Sequence, residues 1–244
     1  GWARIEALEQ PEFTHARRWE GYPGWVPLAS LIPWEPLREP TVVVTEKWAE
    51  ASKDPQILTP THWRFPFGTR LRATEMGGHL WMVELLDGAV VWIPFRAARA
   101  LEELRALTPL ERRRLVLRNT GLLLGDTYVW GGRTPHDADR QVPVTGVDCS
   151  GLINLAYRAA GVDIPRDAHE QFLRATPVNA VQPGDLIFLS ERGNPNRIIH
   201  VMLYAGDGDV IEGPGTGSAV RRIAVADRLG QPLDWLAPGS VVDG

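Results

Sequence analysis

Cysteine is almost absent from this sequence: Cys149 is the single cysteine among 244 residues. One thiol cannot form an intramolecular disulfide, and it cannot supply the several cysteine ligands of a structural zinc site. Two interpretations of Cys149 are left, a buried structural residue or a catalytic nucleophile, and the residues around it must decide between them.

Long apolar runs and a basic excess are also missing. Arg, Asp or Gly interrupts every apolar segment well before the length of about 20 residues that a membrane-spanning helix needs. Lys and Arg number 26 against 30 Asp and Glu, which gives a net charge of −4, and no clustered positive charge favours a phosphate backbone. We therefore expect no membrane span and no nucleic-acid partner.

Proline and tryptophan are abundant, with 20 and 10 copies, which favours several small β-rich units over one large α/β sheet. Trp25–Leu28 is echoed by Trp92–Phe95, and each ends a β-patterned stretch, as expected of duplicated modules. Two strand-like runs around Asp87-Gly88 predict a tight hairpin, because glycine accepts a positive φ. We predict one β module in residues 1–36, truncated or abbreviated at its start, and a second in residues 37–99.

The pattern becomes helical after residue 99. Leucines recur at helical spacing in Ala100–Gly125, and Thr108–Glu111 has the composition of a capping box with proline in the first turn. An amphipathic helix is predicted for Ser150–Ala160, ended by Gly161. We predict a third domain over residues 100–244, with later strands at Leu186–Leu189, Ile198–Tyr204 and Val210–Glu212.

Cys149 lies directly before the helix predicted for Ser150–Ala160. Unpaired backbone N–H groups and the positive end of the helix dipole favour thiolate over thiol at such a position. The same N–H groups can bind the oxyanion that forms when a carbonyl group is attacked. This placement favours a nucleophile, and a small buried residue at the start of a core helix is the alternative.

A catalytic thiolate needs an acid–base partner, and His200 is the strongest candidate among six histidines. It begins a continuous apolar strand, so the fold could hold it rigidly beside a nucleophile; a hydrogen-bonded core histidine is the alternative. Glu212 ends the returning strand and could orient the imidazole, or it is a solvated edge carboxylate. A two-residue turn at Asp207-Gly208 places Glu212 opposite Leu203, so contact with His200 requires a β-bulge or strong strand curvature.

Five short segments follow one another along the chain: Tyr128–Gly132, Asp148–Gly151, Ile164–Asp167, Gln182–Leu186 and His200-Val201. In this order they resemble the NlpC family of bacterial cell-wall cysteine peptidases, and the resemblance covers residues 106–225. The repeats before them resemble bacterial SH3-like modules. The combination is similar to the γ-D-glutamyl-L-diamino-acid endopeptidases, which cut the stem peptides of peptidoglycan.

The resemblance implies an α+β fold, with a papain-like catalytic domain preceded by small all-β SH3-like barrels. It implies Cys149 as nucleophile, His200 as general base and then acid, and Glu212 at a third polar position that is histidine in many relatives. A carboxylate there should hold the imidazolium at least as well. Tyr128 matches a tyrosine near the nucleophile and is a candidate donor to the oxyanion, with an aromatic core residue as the alternative. No cofactor is implied.

The implied substrate is a peptidoglycan stem peptide or muropeptide, cleaved between γ-D-Glu and diaminopimelate or lysine. Its expected binding residues lie beside the nucleophile, in the Ile164–Asp167 motif and in the first module; they are Asp148, Ser150, Arg166, Asp167 and Tyr22. Asp167 matches an aspartate that binds the ammonium group of a free N-terminal L-Ala. Ala168 replaces a serine that is common in relatives, which removes one hydrogen bond to the substrate. On the residues alone, Arg166 and Asp167 form an ordinary solvated charge pair.

The connection 133–147 is longer than is usual in the family and should flank the cleft. His136, Asp137 and Asp139 suggest a metal site, but three polar loop residues without a fourth ligand are more often solvated. We predict no metal.

Two other functions fit the same residues. One is a wall-binding protein whose peptidase-like domain is inactive because Glu212 replaces histidine; the other is an amidase or acyltransferase of the same fold. The sequence begins at Gly1 without a charged and apolar leader, so we expect its natural start to lie upstream, and a removed signal peptide stays an open question. We expect a monomer that acts outside the membrane, with cytoplasmic recycling as the alternative.

Overall fold

The computed structural model describes residues 1–6, 23–31, 39–57, 60–139, 145–238, 240 and 242. These residues form a two-stranded, a seven-stranded and a four-stranded sheet, each antiparallel, and helices accompany the last of them. The α+β class that the sequence predicts is therefore confirmed.

The N-terminal unit is an antiparallel pair of strands. Strand β1 (Trp2–Glu6) pairs with β2 (Pro23–Pro27), with Trp2 opposite Pro27. A single 3-10 turn, Leu28–Ser30, follows β2. The barrel predicted for residues 1–36 is not confirmed in the described residues, because these two strands form a separate small sheet.

Seven short strands form the second sheet. They are β3 (Val42–Val44), β4 (Trp48–Ser52), β5 (Pro60–Pro66), β6 (Arg70–Met76), β7 (Leu80–Glu84), β8 (Val90–Pro94) and β9 (Ala98–Ala100). Their order across the sheet is β5-β4-β8-β7-β6-β3-β9, with β5 and β9 as its two ends. Within the described part of the chain this sheet is open, so the second predicted barrel is not confirmed either.

The hairpin predicted around Asp87-Gly88 joins β7 to β8. Gly88 has a φ of +85°, and the Leu85 amide donates to the Ala89 carbonyl at 2.8 Å. Alternate side chains of the two strands are buried and form a core on one face of the sheet; they are Trp81, Val83, Val91 and Ile93. The recurrence of these apolar residues at every second position thus sets which face of the hairpin is buried.

The C-terminal part packs helices against the four-stranded sheet. The helices are α1 (Leu101–Arg105), α2 (Pro109–Gly121), α3 (Cys149–Arg158), α4 (Ala168–Arg174) and α5 (Val225–Leu229). The strands are β10 (Leu186–Glu191), β11 (Asn194–Gly206), β12 (Asp209–Glu212) and β13 (Arg221–Ala224), which pair in chain order. Helix α3 contacts both α2 and β11. Among the described residues, no helix combines the length and apolar character needed to cross a membrane.

Local signals set the helix ends. The predicted capping box is present: the Glu111 amide donates to Thr108 Oγ1 at 3.3 Å, and the Thr108 amide donates to Glu111 Oε2 at 2.8 Å. Pro109 occupies the first turn of α2, where its missing N–H costs nothing. Helix α3 ends at Arg158, slightly before its predicted end, and Gly161 follows with a φ of +79°.

The seven-stranded sheet packs directly against the helical part. Val43 and Phe67 belong to the same buried cluster as the apolar residues of α3. Gly68 has a φ of +79°, which favours glycine, and an added Cβ would lie 2.9 Å from Leu155 Cδ2. Arg158 Nε donates to the Gly68 carbonyl at 2.9 Å. Val43 and Phe67 therefore extend the hydrophobic core of the helices to this sheet.

Candidate active site

The first residue of α3 is Cys149, and the residue that caps this helix is Asp148. Asp148 Oδ1 accepts a hydrogen bond from the Gly151 amide at 2.7 Å, which satisfies one of the amides that a helix N-terminus leaves unpaired. Cys149 is buried, with 8% of the residue exposed. This geometry confirms the predicted placement of the sulfur at a helix N-terminus.

His200 lies on β11, and its imidazole is near enough to Cys149 for that side chain to raise its pKa. It is 8% exposed. Next to it, β11 carries one extra residue: Leu189 pairs with His200 and Ser190 with Ile198, so Ile199 has no partner on β10. The sequence prediction that a distant strand supplies an imidazole to the thiol is consistent with this contact.

A second bulge decides how Glu212 reaches His200. Gly206 pairs with Asp209, but Tyr204 pairs with Val210, so Ala205 is an additional residue in β11. The resulting register pairs Leu203 with Ile211 instead of with Glu212.

The shift by one residue changes the face on which Glu212 lies, because side chains alternate along a strand. Glu212 follows Ile211 and comes opposite Met202, whose side chain shares a face with that of His200. His200 Nε2 then lies 2.7 Å from Glu212 Oε2. The bulge that the sequence required for this contact is present.

Glu212 is completely buried and has three cationic partners. Besides His200, Arg221 Nη2 donates to Oε1 at 2.8 Å and Arg228 Nε donates to Oε2 at 2.9 Å. Burial alone would raise the pKa of this carboxyl, but the hydrogen bonds from His200, Arg221 and Arg228 lower it to about 2. Glu212 is therefore an anion, and His200 Nε2 must be the donor in the bond between them.

The charge of His200 follows from its two neighbours. Burial would lower the pKa of the imidazole, but the hydrogen bonds to Cys149 and Glu212 and their negative charges raise it to about 9. At neutral pH the ring is therefore an imidazolium, with one N–H directed to Glu212 and the other available to Cys149. This arrangement places a proton donor beside the sulfur of Cys149.

Tyr128 packs beside the nucleophile and is 7% exposed. Burial, together with the negative charges of Cys149 and Asp148, raises the pKa of its hydroxyl to about 12. The hydroxyl is therefore protonated and can donate a hydrogen bond. Its assignment as the oxyanion donor stays a prediction.

Gly213 leaves space next to Tyr128 and Cys149. A Cβ at residue 213 would lie 3.3 Å from Tyr128 Cδ2 and 3.6 Å from the Cys149 amide nitrogen. No sequence pattern pointed to this glycine, because only the folded chain brings residue 213 against the start of α3.

Arg166 is buried and pairs with Asp148. Its Nη1 and Nη2 donate to Asp148 Oδ1 and Oδ2 at 2.9 and 2.8 Å, and Nη1 also donates to Ser150 Oγ at 2.9 Å. The Gly131 amide donates to Asp148 Oδ2 at 2.9 Å. The interpretation of Arg166 as half of a solvated pair is wrong.

This network gives internal partners to three of the residues expected to bind substrate, Asp148, Ser150 and Arg166. It ties the turn before α3 to the turn after it and so holds the start of α3 in place. Their role in substrate binding stays a prediction. Asp167 lies half-buried at the N-terminal end of α4, without capping the helix through its side chain, and Tyr22 lies outside the described residues.

Lys47, just before β4, and Arg64, on β5, contact the segments on the two sides of Tyr128. Lys47 pairs with the buried carboxylate of Asp126, whose Oδ2 accepts the His136 amide at 2.9 Å. Arg64 Nη1 donates to the buried Asp137 at 2.9 Å. In the described residues, no three His, Cys, Asp or Glu side chains form a group able to hold a metal ion.

Sequence comparison finds a family match for the C-terminal part of the chain. Residues 125–232 match the profile of the NlpC/P60 family, and this segment contains Cys149, His200 and Glu212. The resemblance that the motifs predict is thus confirmed for this part of the chain.

Several curated proteins are similar to the chain. A γ-D-glutamyl-L-lysine dipeptidyl-peptidase of Bacillus cereus is 28% identical over 229 residues, which are 91% of this chain and 64% of that protein. The enzyme of the same name from Bacillus subtilis is 29% identical over 116 residues, 47% of this chain and 36% of its own length. The peptidoglycan endopeptidase RipB of Mycobacterium tuberculosis is 35% identical over 111 residues, 43% and 44% of the two chains. The chain spans less than two thirds of each of these relatives.

A solved structure matches most of the fold. The crystal structure of an NlpC/P60 family protein from Bacillus cereus superposes with a TM-score of 0.72 at 26% identity, over 92% of this chain and 71% of that one. The likeness therefore includes the β-rich part that precedes α1. Together with the profile match, it shows that the C-terminal part of the chain has the NlpC/P60 fold.

Proposed function

We propose that the protein is a cysteine peptidase that hydrolyses the bond between γ-D-Glu and the diamino acid of peptidoglycan stem peptides. The observation that carries the proposal is the series of three side chains: Cys149 at the N-terminus of α3, His200 next to it, and Glu212 hydrogen-bonded to His200. The names of the similar Bacillus and Mycobacterium proteins support the substrate class.

In the first step, the Cys149 thiolate attacks the γ-carbonyl carbon of D-Glu. The carbonyl oxygen becomes an oxyanion, which the free amides at the start of α3 and the protonated Tyr128 hydroxyl can stabilise. The tetrahedral intermediate collapses when the imidazolium of His200 gives its proton to the leaving amine of the diamino acid. A thioester between Cys149 and the γ-glutamyl group is left.

In the second step, the now neutral His200 takes a proton from a water molecule, and the hydroxide attacks the thioester carbonyl. Collapse of this intermediate expels the Cys149 thiolate and releases the γ-carboxylic acid of D-Glu, which loses its proton to solvent, while His200 keeps the proton taken from water as the imidazolium. Glu212 takes no proton in either step, since its pKa is held at about 2. Its part is to keep one ring nitrogen occupied, so that the other faces Cys149.

We extend the proposal to substrate preference: a free N-terminal L-Ala, whose ammonium group Asp167 binds. The resemblance of the Ile164–Asp167 motif supports this role. Arg166 contacts Asp148, the residue before the nucleophile. Asp167 follows Arg166 directly in the sequence, so its backbone is held near the start of α3. Diaminopimelate and lysine are both within the proposed substrate class.

The proposal also covers the role of the β-rich part of the chain and the place where the protein acts. We propose that β3–β9 form an SH3-like module that walls one side of the cleft, which its shared core with α3 supports. We further propose that the protein acts as a monomer on wall peptides outside the membrane.

The test is incubation of the protein with L-Ala-γ-D-Glu-diaminopimelate, its lysine counterpart and their N-acetylated forms, with products identified by mass. We expect cleavage of the free peptides to L-Ala-D-Glu and the diamino acid, slow cleavage of the acetylated forms, and none by Cys149→Ala. Equal cleavage of free and acetylated peptides would overturn ammonium recognition. Cleavage of none of them would overturn the substrate class.

A further inference from the structure

The carboxylate of Glu212 is held by more than the catalytic imidazole. Arg221 donates through both Nε and Nη2 to Oε1, at 3.1 and 2.8 Å. Arg228 Nε lies 3.1 Å from Oε1 and 2.9 Å from Oε2. The two guanidinium groups thus contact both oxygens from sides that His200 does not occupy.

The two oxygens of Glu212 accept hydrogen bonds from different donors, and this fixes the orientation of the carboxylate. Oε1 receives the two bonds from Arg221, while Oε2 receives His200 Nε2 at 2.7 Å. Arg228 bridges the two oxygens. A glutamate side chain that rotates freely would offer either oxygen to the ring, and these contacts remove that freedom because any rotation breaks charged hydrogen bonds.

The two arginines differ in how firmly the fold holds them. The side chain of Arg228 is 16% exposed, and that of Arg221 is 46% exposed. Arg228 lies on α5 between Val225 and Leu229, both buried in the core that also contains Met202. Arg221 lies on β13 directly opposite Glu212. Since solvent screens exposed charges, Arg228 has the stronger effect.

A buried carboxyl without such partners tends to take up a proton. A protonated Glu212 would donate to His200 Nε2 instead of accepting from it, and the ring proton would move to the nitrogen that faces Cys149. The neutral ring could then no longer accept a proton from water at that nitrogen. Keeping Glu212 anionic is therefore a condition for the catalytic orientation of His200.

From these contacts we infer that Arg228, assisted by Arg221, is a positioning residue for catalysis: it holds Glu212 as an anion whose Oε2 faces His200. This inference rests on the proposed function of Cys149 and His200. It also gives a reason why a glutamate serves at a position that the resemblance assigns to histidine in many relatives. A neutral imidazole needs no counter-cations, whereas a buried carboxylate does.

The variants are Arg228→Gln, Arg228→Lys, Arg221→Gln and the double Arg221→Gln/Arg228→Gln. The matched control is Arg222→Gln, because Arg222 lies on the same strand but pairs with Asp209 and is 47% exposed. Thermal unfolding of each variant measures its folded fraction. Two readouts are then compared over pH: kcat and KM for peptide cleavage, and the rate at which iodoacetamide alkylates Cys149.

We expect Arg228→Gln to lower kcat about 10- to 100-fold with KM within about twofold, as for other residues that orient a catalytic group. The acid limb of both pH profiles should move to higher pH. Arg228→Lys should restore much of the loss, Arg221→Gln should have a smaller effect, and the double variant the largest. Arg222→Gln should match the wild type.

The inference is overturned if the acid limb of the double variant coincides with that of Arg222→Gln, or if its activity falls only in proportion to the folded fraction. The alkylation profile needs no peptide substrate. If the wild type cleaves none of the peptides, the proposed function fails, while the alkylation profiles still decide whether the arginines act on the Cys149–His200 pair.

Discussion

Glu212 Oε2 accepts a hydrogen bond from His200 Nε2 at 2.7 Å, because Ala205 is an extra residue in β11 that shifts the pairing of β11 with β12. Without this bulge, the turn at Asp207-Gly208 would leave the two side chains on opposite faces of the sheet. A single inserted residue thus decides whether the carboxylate meets the imidazole.

Replacing Glu212 should separate catalysis from substrate binding. We expect Glu212→Gln to lower kcat by about 10²- to 10⁴-fold, because a neutral amide no longer holds the imidazolium or selects its tautomer. The variant also leaves Arg221 and Arg228 without their anion, so we expect it to unfold about 3 kcal/mol more easily. Steady-state kinetics and urea unfolding measure the two effects.

The control for this variant is Glu191→Gln, since Glu191 makes an exposed ion pair with Arg197. It should change stability by less than about 0.5 kcal/mol. A Glu212→Gln enzyme as active as this control would contradict the role of the carboxylate.

The pH dependence of cleavage should differ from that of alkylation. Above about pH 9 His200 loses the proton that the leaving amine needs, so kcat/KM should fall. Alkylation of Cys149 by iodoacetamide does not use that proton, so its rate should not fall. Parallel loss of both activities above this pH would contradict the role of His200 as the acid.

Stability should depend on pH through the same two groups. The pKa of Glu212 is lowered from 4.5 to about 2, so its interactions stabilise the fold above pH 4.5 and are lost as the pH falls towards 2. The pKa of His200 is raised from 6.5 to about 9, so its interactions stabilise the fold below pH 6.5 and are lost as the pH rises through 9. The measurement is the free energy of unfolding of the wild type and of Glu212→Gln across this range. The difference between them should be largest between pH 4.5 and 6.5 and should shrink as the pH falls towards 2 or rises towards 9; a constant difference would contradict the assignment.

Filling the space at residue 213 should disturb the nucleophile. The Cβ of Gly213→Ala would lie 3.3 Å from Tyr128 Cδ2, so the ring must move by a few tenths of an ångström. We expect kcat to fall about tenfold, since catalysis is sensitive to small misplacements, and Gly213→Val to be worse. Gly215→Ala is the matched control, because a Cβ there meets nothing within 4 Å. Equal kinetics for the two alanine variants would show that Tyr128 tolerates the shift.

The contact between the seven-stranded sheet and the segment around Asp137 should affect the cleft. Arg64 pairs with Asp137 at 2.9 Å and stacks on Trp48, with 4.7 Å from the guanidinium carbon to the ring centre. If Arg64→Gln removes about 1 kcal/mol of the free energy that orders the segment around Asp137, KM should rise about fivefold. The change in kcat should be smaller. Arg96→Gln, which removes an exposed ion pair with Glu46, is the control. An unchanged KM for Arg64→Gln would mean that this segment does not shape the cleft.

Local signals in the sequence predicted much of the fold. The capping box of α2 involves neighbours three residues apart, and the hairpin at Asp87-Gly88 needs only a glycine that accepts a positive φ. The placement of Cys149 at the start of α3 was predictable for the same reason, since an amphipathic pattern begins directly after it. Each of these features depends on residues that are close together along the chain.

Other parts of the site were beyond sequence patterns. Arg221 and Arg228 reach Glu212 across a strand pair and from a separate helix, and only a charge-pair pattern between β12 and β13 could have suggested Arg221. Arg166 finds Asp148 across the start of α3, although the sequence places it next to Asp167. The open order of the seven-stranded sheet likewise depends on pairings between distant strands.

By itself the sequence determined the helix that carries the thiol, the apolar strand that begins with the imidazole and the family motifs, because propensity, capping and periodicity act over a few residues. The tertiary structure alone decided which groups meet. The bulge at Ala205 set the face of Glu212, the arginines set its charge, and the shared core around Phe67 fixed the β-rich sheet against α3. Such contacts depend on register and packing between segments far apart in the chain, and a one-residue change in either reverses them.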